Sequence, residues 1–142
     1  MMTTSENEQI SPAAKLGLQS GQVVQEFGHA DDADEELRDA IVAVTGNELV
    51  DENYEDVADV VLQWFRDQDG DLADQLANAL GSLADGGCIW LLTPKAGQEG
   101  EVEPSDIGEA VPTVGLSRTT SISAGPQWRA TRLVSPKASR SR

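Results

Sequence analysis

Two short apolar stretches decide the fold of this chain: Asp59-Val60-Val61-Leu62-Gln63-Trp64-Phe65 and Cys88-Ile89-Trp90-Leu91-Leu92-Thr93. Each is rich in β-branched and aromatic residues and is too short for a long apolar helix, which is typical of a strand buried on both faces. The leucines between them recur at helical spacing, at Leu72, Leu76, Leu80 and Leu83. The order strand, helix, strand predicts a βαβ unit with a right-handed crossover.

The helix between these two strands has clear start and stop signals. Either Asp69 or Asp71 can serve as its N-cap, because a carboxylate there accepts a hydrogen bond from a free backbone N–H. Gly86-Gly87 is expected to end the helix. The next strand then runs over residues 88–93, up to Pro94.

A second unit of the same kind precedes this one. Residues 22–27 predict a strand closed by Gly28, and residues 48–50 predict a short strand before an acidic loop. Asp32 followed by Glu35 has capping-box spacing, so the intervening helix is expected to begin at Asp32. Its apolar stripe, formed by Leu37, Ile41 and Val44, continues until Gly46.

The last third of the chain differs in pattern. Pro104-Ser105-Asp106 starts a third helix, and Pro112 either kinks this helix or ends it early. Residues 119–123 and 129–134 alternate in polarity and are separated by Gly125-Pro126, which predicts an antiparallel pair at a sheet edge.

The predicted fold class is therefore α/β, with three layers: helices on both faces of a mostly parallel sheet of about six strands that ends in a C-terminal antiparallel hairpin. We expect a single domain over residues 15–135, since 142 residues is the size of one domain. Residues 1–14 are polar and unpatterned and are predicted to be a disordered N-terminal tail. Residues 136–142 form a basic C-terminal tail.

Composition points to a cytoplasmic protein. The single cysteine, Cys88, cannot form an intramolecular disulfide, and a buried, inert thiol is expected there. The first eight residues contain acids where a signal peptide would have basic residues, and no apolar run approaches the roughly 20 residues that span a bilayer. The net charge of -15 argues against general binding to nucleic acids or anionic membranes.

The charges are unevenly distributed along the chain. All 25 acidic residues precede residue 113, whereas six of the ten basic residues follow it. The basic end either pairs weakly with the acidic body of the same chain or is reserved for a protein partner. The second alternative makes Lys137, Arg140 and Arg142 candidate partner contacts, together with Trp128 if that side chain is exposed. Trp64 and Trp90 are expected in the core.

The succession of elements over residues 16–135 resembles an abbreviated class I methyltransferase-like Rossmann fold. Leu83-Ala84-Asp85-Gly86-Gly87 is similar to the Leu-Lys-Pro-Gly-Gly segment that precedes an apolar strand in that family, and Asp59-Val60-Val61-Leu62 is similar to its central strand. These matches concern topology and no catalytic residue.

A nearly full-length resemblance is to a family of small, uncharacterised actinobacterial proteins, a domain of unknown function. The matching phrases are Ala14-Lys15-Leu16-Gly17-Leu18 with Gly21-Gln22-Val23-Val24-Gln25-Glu26, the segment from Gly86 to Lys95, and Trp128 before Thr131-Arg132-Leu133-Val134. This resemblance implies a fold and a lineage and no established activity.

The resemblance to methyltransferases directs attention to the loop after the first strand. In that family three spaced glycines let the backbone approach S-adenosylmethionine, whereas Glu26-Phe27-Gly28 supplies only the acid and the first glycine here. Asp31 and Asp32 would repel an anionic group at the following helix. If a ligand crevice persists at this edge of the sheet, its candidate residues are Gly28, His29, Asp51 and Arg66.

Two further features that could suggest a metal site or a catalytic residue have simpler explanations. Asp67, Asp69 and Asp71 have the spacing of a calcium loop, but the glycine and the twelfth residue are wrong, and N-cap acids explain the run better. His29, the single histidine, has no nearby nucleophile motif and is expected to be a loop residue. No catalytic residue, metal site or cofactor is therefore predicted.

We expect a non-catalytic methyltransferase-like protein that acts as a protein-interaction or regulatory module, with an unidentified protein partner. The alternative is a small-molecule binder, of S-adenosylmethionine-like or nucleotide-like ligands, or a cryptic transferase that uses the crevice.

Overall fold

The computed structural model describes residues 16–135, which form one mixed sheet with helices on both faces. Lys137, Arg140 and Arg142, predicted as partner contacts, lie outside the described residues. The elements in chain order are β1 (Val24–Phe27), α1 (Glu35–Thr45), β2 (Ala58–Trp64), a 3-10 turn (Asp67–Asp69), α2 (Leu72–Gly81), β3 (Leu83–Pro94), α3 (Pro104–Thr113), β4 (Ser117–Ser123) and β5 (Trp128–Val134).

The strand order across the sheet is β1-β2-β3-β5-β4. β1, β2 and β3 pair in parallel, while β5 pairs antiparallel with both β3 and β4. The α/β class and the βαβ unit are confirmed, but the sheet is mixed and not mostly parallel. The position of the predicted hairpin also differs. Its strand β5 lies inside the sheet, and only its strand β4 lies at the edge.

The described residues form five strands instead of about six. The short strand predicted at residues 48–50 is reduced to a single bridge, in which Val50 pairs in parallel with Gln25 of β1. The chain turns away after Val50 because Asp51 begins a tight turn, in which its carboxylate accepts a hydrogen bond from the Asn53 N–H at 2.9 Å.

Two apolar layers enclose the sheet. On one face, Leu37 and Ile41 of α1 pack with Trp64 and Trp90, which confirms both tryptophans as core residues. On the other face, α2 and α3 cover the sheet, with Leu76 among the buried contacts. The near-continuous burial of β2 and of residues 88–94 of β3 explains why these two stretches are apolar throughout.

Two helix boundaries differ from the sequence prediction. The N-cap of α1 is Asp34, which accepts from the Leu37 N–H at 3.1 Å, because the Asp32 carboxylate is bound elsewhere. α2 begins after Asp71 as expected but ends at Gly81 instead of Gly86-Gly87. Pairing of Leu83 with Ala58 draws that segment into β3.

The two glycines lie within β3, and Gly87 has a packing role there. A Cβ at Gly87 would lie 2.5 Å from the backbone oxygen of Asp59, so only glycine lets the two strands approach closely. Pro112 lies inside α3, which ends one residue later, at Thr113. Within the described residues no helix is long and apolar enough to cross a bilayer.

Candidate functional site at the switch point of the sheet

The topology marks one crevice as the place where a ligand would bind. The chain passes from β1 to the Val50 bridge on one side of β1 and then crosses to β2 on the other side. In open α/β sheets, ligands bind at the carboxyl ends of the strands where the strand order reverses in this way. Here those ends are Phe27-Gly28 of β1 and Trp64-Phe65-Arg66 of β2. We call the space between them the switch-point crevice.

Arg66 spans the switch-point crevice. Its Nη1 donates to the Gly28 carbonyl at 2.8 Å, so the end of β2 is joined to the end of β1. Its Nε donates to Asp32 Oδ2 at 2.9 Å, and its Nη2 donates to the other oxygen of that carboxylate. Asp69 accepts a further hydrogen bond from Nη1 at 3.1 Å. Arg66 is only 5% exposed, so its guanidinium exchanges water for these partners.

Trp128, the first residue of β5, closes the crevice from the side. The Arg66 guanidinium carbon lies 5.3 Å from the centroid of the Trp128 ring, within cation-π range. The same ring meets Trp64 edge-on, with centroids 4.8 Å apart. The indole N–H of Trp128 donates to the backbone oxygen of Asp32 at 3.2 Å. Asp32 is therefore bound by both its carboxylate and its backbone.

These contacts shift the pKa values of Asp32 and Arg66 in opposite directions. The hydrogen bonds from Arg66 lower the pKa of Asp32, although partial burial opposes this shift. The hydrogen bond to Asp32 is the largest cause of a raised pKa of Arg66. Both effects favour the charged forms, so the pair is ionised throughout the neutral range.

A second ion pair lies beneath the crevice. Glu26 of β1 is 7% exposed, and its two oxygens accept from Arg38 Nε and Nη2, each at 2.8 Å. Glu26 also accepts from the indole N–H of Trp64 at 2.7 Å. Hydrogen bonding to Glu26 is the first cause of a raised pKa of Arg38. Three donor groups therefore engage the carboxylate of Glu26, the next-to-last residue of β1.

Gly28 fits where a side chain would not. Its φ of +80° is in the left-handed region, and a Cβ there would lie 2.3 Å from the Trp64 backbone oxygen. Glycine at position 28 therefore allows the ends of β1 and β2 to lie close together.

The other two predicted crevice residues make their contacts elsewhere. His29 is exposed, and its Nε2 lies 3.1 Å from a Glu35 carboxylate oxygen. Asp51 uses its carboxylate within its own turn, and its backbone oxygen accepts from Gln25 Nε2 at 3.0 Å. Of the four predicted residues, the structure joins only Gly28 and Arg66 by a hydrogen bond.

Trp128 is 3% exposed and holds the crevice closed. This burial removes the basis for the predicted partner contact at Trp128, because a buried indole offers little surface to another protein. The partners that sequence analysis missed are Asp32, 34 residues from Arg66, and Arg38, 12 residues from Glu26. The one available signal was a lone arginine after an apolar strand in an acid-rich chain, since burying such a charge requires a carboxylate.

The fold is similar to the Rossmann-like fold of class I methyltransferases. A TehB-like S-adenosylmethionine-dependent methyltransferase from Corynebacterium glutamicum superimposes with a TM-score of 0.54 and 15% identity, over 89% of this chain and 88% of that one. Magnesium protoporphyrin IX methyltransferase from Synechocystis, solved with bound S-adenosylmethionine, gives a TM-score of 0.55 and 10% identity, over 87% and 74% of the two chains. At these identities the likeness concerns the fold alone.

The chain belongs to the family described as "Protein of unknown function (DUF3052)", whose model matches residues 13–137. Uncharacterised proteins of Mycobacterium tuberculosis and Mycobacterium bovis are 52% identical to it over 126 residues, which cover 89% of this chain and 79% of each relative. The sequence resemblance to an actinobacterial family of unknown function is thereby confirmed.

The residues at the switch-point crevice do not fit S-adenosylmethionine. The carboxylate of Glu26, near the end of β1, is already bound by Arg38 and Trp64. The guanidinium of Arg66 lies across the two strand ends, where the ligand of such a fold would enter. The space left beside it has a volume of about 300 Å³ and is lined by two acids, Asp32 and Glu99, among other residues. Asp32 is paired with Arg66, so its carboxylate is not free to hold the ammonium group of the cofactor.

Proposed function

We propose that this chain retains a methyltransferase-like fold without methyl transfer and acts as a protein-interaction module. The observation that supports this proposal is the closed crevice: Arg66 bridges Gly28 and Asp32 at the point where the fold would admit a cofactor. Opening it would break the bond to Gly28, the pairing with Asp32 and the contact with Trp128 together. Such a combined loss is costly because the guanidinium is buried.

The acidic side of the molecule is the surface we propose for the partner. Exposed carboxylates are concentrated on α1, on the turn that precedes it and on the loop before β2, at Asp31, Glu35, Glu36, Asp39, Glu48, Asp51, Glu52, Glu55 and Asp56. A dense negative field of this kind steers a basic protein surface and disfavours an acidic one. The proposed partner is therefore a basic protein segment.

The absence of methyl-donor binding is tested by isothermal titration of the full chain with S-adenosylmethionine and with its demethylated product. We expect no saturable heat from the wild type. Saturable one-to-one binding of either compound by the wild type would overturn the proposal. The variant Arg66→Ala shows whether the guanidinium is the obstacle, with Arg132→Ala as the matched loss of an arginine that lines neither cavity. Binding that appears only in Arg66→Ala supports the proposed closure.

The partner surface is tested by charge reversal. Affinity capture from the native cell is compared between the wild type and the double variant Glu52→Lys, Glu55→Lys. The matched control, Glu103→Lys with Glu109→Lys, changes the same net charge at exposed positions at the start of α3 and on it, and α3 covers the opposite face of the sheet from α1. We expect a basic protein to be lost from the first variant and kept by the control. Equal recovery from both variants would contradict the proposed surface.

A further inference from the structure

A separate cavity lies on the α2/α3 face of the sheet, between the start of α3 and strands β3, β5 and β4. Its volume is about 520 Å³. Thr93 of β3 and Thr131 of β5 form part of its floor, and Val102 and Ile107 are among its apolar wall residues. A cavity of this size is in the range that takes a small organic molecule.

The floor contains polar groups that the protein does not satisfy. Thr93 and Thr131 are 2% and 4% exposed, and both line the cavity. Among residues 16–135, neither hydroxyl takes part in a side-chain hydrogen bond, whereas the buried Thr45 hydroxyl donates to the backbone oxygen of Ile41 at 3.0 Å. Because neither hydroxyl has a side-chain hydrogen bond within the described residues, both are available to a ligand or water in the cavity.

The register brings positive charge to the same cavity. Arg129 precedes Thr131 by two residues on β5, so both side chains lie on one face of the sheet, and Arg129 is opposite Thr93. Arg118 of β4 is opposite Leu133, on the same face. Neither arginine forms an ion pair within the described part of the chain, and Arg129 Nη1 makes only a long contact, 3.5 Å, with Ser121 Oγ.

The acid of this cavity does not neutralise the two arginines. Glu101 lines the wall, but its carboxylate accepts from the Gly97 N–H at 3.1 Å, within its own loop. In a chain with a net charge of -15, a cavity with two arginines and one acid is a local reversal of sign. Guanidinium and hydroxyl groups are the donors that proteins use for carboxylate and phosphate oxygens.

We propose that this cavity binds a small organic oxyanion, with its apolar part against Val102 and Ile107 and its charged end between Arg118 and Arg129. The hydroxyls of Thr93 and Thr131 donate to the ligand from the floor. This site is distinct from the switch-point crevice and does not depend on the function proposed for the acidic surface.

The proposal is tested by following backbone amide signals of the full chain in two-dimensional NMR titrations. The probes are phenylacetate and phenyl phosphate, which share an apolar ring but differ in the anion, and 2-phenylethanol as the neutral counterpart. We expect saturable shifts at residues 93, 107 and 131 with one or both anions, and none with the alcohol. The anion that binds more tightly identifies whether carboxylate or phosphate is preferred.

Variants assign the binding to these side chains. Arg129→Gln, Arg118→Gln and the nearly isosteric Thr131→Val are each expected to weaken binding at least about fivefold, since each removes a hydrogen bond or charge from the anion. Arg132→Gln is the matched control, because Arg132 is on the same strand but on the opposite face, and binding should stay within about twofold. Equal binding of the alcohol, unchanged affinity in the arginine variants, or shifts confined to residues 28, 32 and 66 would overturn the proposal.

Discussion

The Arg66 guanidinium donates to the Gly28 carbonyl over 2.8 Å and so ties the carboxyl end of β2 to the carboxyl end of β1. In this fold the carboxyl ends of β1 and β2 border the ligand crevice. The hydrogen bond between Arg66 and Gly28 therefore closes the place where a ligand would enter. The same guanidinium holds Asp32, and Trp128 packs against it. Closure therefore depends on a small set of side chains that can be tested one at a time.

The variant Arg66→Met should lower the free energy of unfolding by roughly 2–4 kcal/mol, because it leaves Asp32 and the Gly28 carbonyl without their donor. The expected loss of unfolding free energy is closer to about 2 than to about 4 kcal/mol, because the Asp32 side chain is 53% exposed and is hydrated again in the variant. Urea denaturation monitored by circular dichroism gives the difference.

The control for Arg66→Met is Arg129→Met, which removes an exposed arginine and should change the free energy of unfolding by no more than about 0.5 kcal/mol. If both variants unfold at the same urea concentration, the pairing of Arg66 with Asp32 adds nothing to stability. The prediction that this pairing stabilises the closed crevice would then be wrong.

Gly28→Ala and Gly46→Ala separate close packing from backbone strain. The two glycines have nearly equal φ values, +80° and +79°, so both substitutions incur the cost of a side chain in the left-handed region. At Gly46 an added methyl group would meet open space, whereas at Gly28 the methyl would lie 2.3 Å from the Trp64 backbone oxygen.

We therefore expect Gly28→Ala to be about 1–3 kcal/mol more destabilising than Gly46→Ala in thermal and urea unfolding. Similar losses for both would mean that β1 and β2 separate easily at this end, which is incompatible with the Arg66 bridge holding them.

The elements that sequence analysis predicted correctly are those with a strong local cause. β2 and β3 carry continuous apolar runs because helices cover both faces. α2 is capped by Asp71, one of the two aspartates that the sequence offered as its N-cap. The errors come from contacts between distant residues. Asp32 had the better capping-box spacing, yet Asp34 caps α1, because Arg66 takes the Asp32 carboxylate.

The same reason limits prediction of the site. Gly28 and Arg66 could be placed at the sheet edge because each directly follows a predicted strand. Trp128 could not, since its position depends on β5 entering the sheet between β3 and β4, an arrangement that no local pattern encodes. Pairing across a sheet is decided by burial of whole faces, so side chains brought together this way have no fixed spacing in the sequence.

Cys88 should react slowly with a thiol reagent in the folded protein. Its side chain is 8% exposed, and burial raises its pKa, so the reactive thiolate is scarce at neutral pH even though Arg132 acts in the opposite direction. Labelling with Ellman's reagent at pH 8 should be at least about tenfold slower in buffer than in denaturing urea. Equal rates in the two solutions would show that β3 opens readily around Cys88.

Asp32→Asn should change how stability depends on pH. The pairing with Arg66 lowers the pKa of Asp32 in the folded state below its ordinary value of 3.8. A carboxyl whose pKa is lowered by folding contributes stability above its unfolded pKa, and that contribution disappears as the pH falls through the folded pKa. The wild type should therefore exceed Asp32→Asn in unfolding free energy by a constant amount between pH 7 and about pH 5, and the gap should shrink below about pH 4.

Asp31→Asn is the matched control for this titration, because Asp31 is the adjacent exposed carboxylate and forms no ion pair within residues 16–135. Carboxylates remote from Arg66 are common to the wild type and both variants, so their contributions cancel from each difference. Asp31→Asn should follow the wild type at every pH. A gap for Asp32→Asn that stays constant down to pH 2 would mean that its cost comes from altered packing and not from the charge that pairs with Arg66.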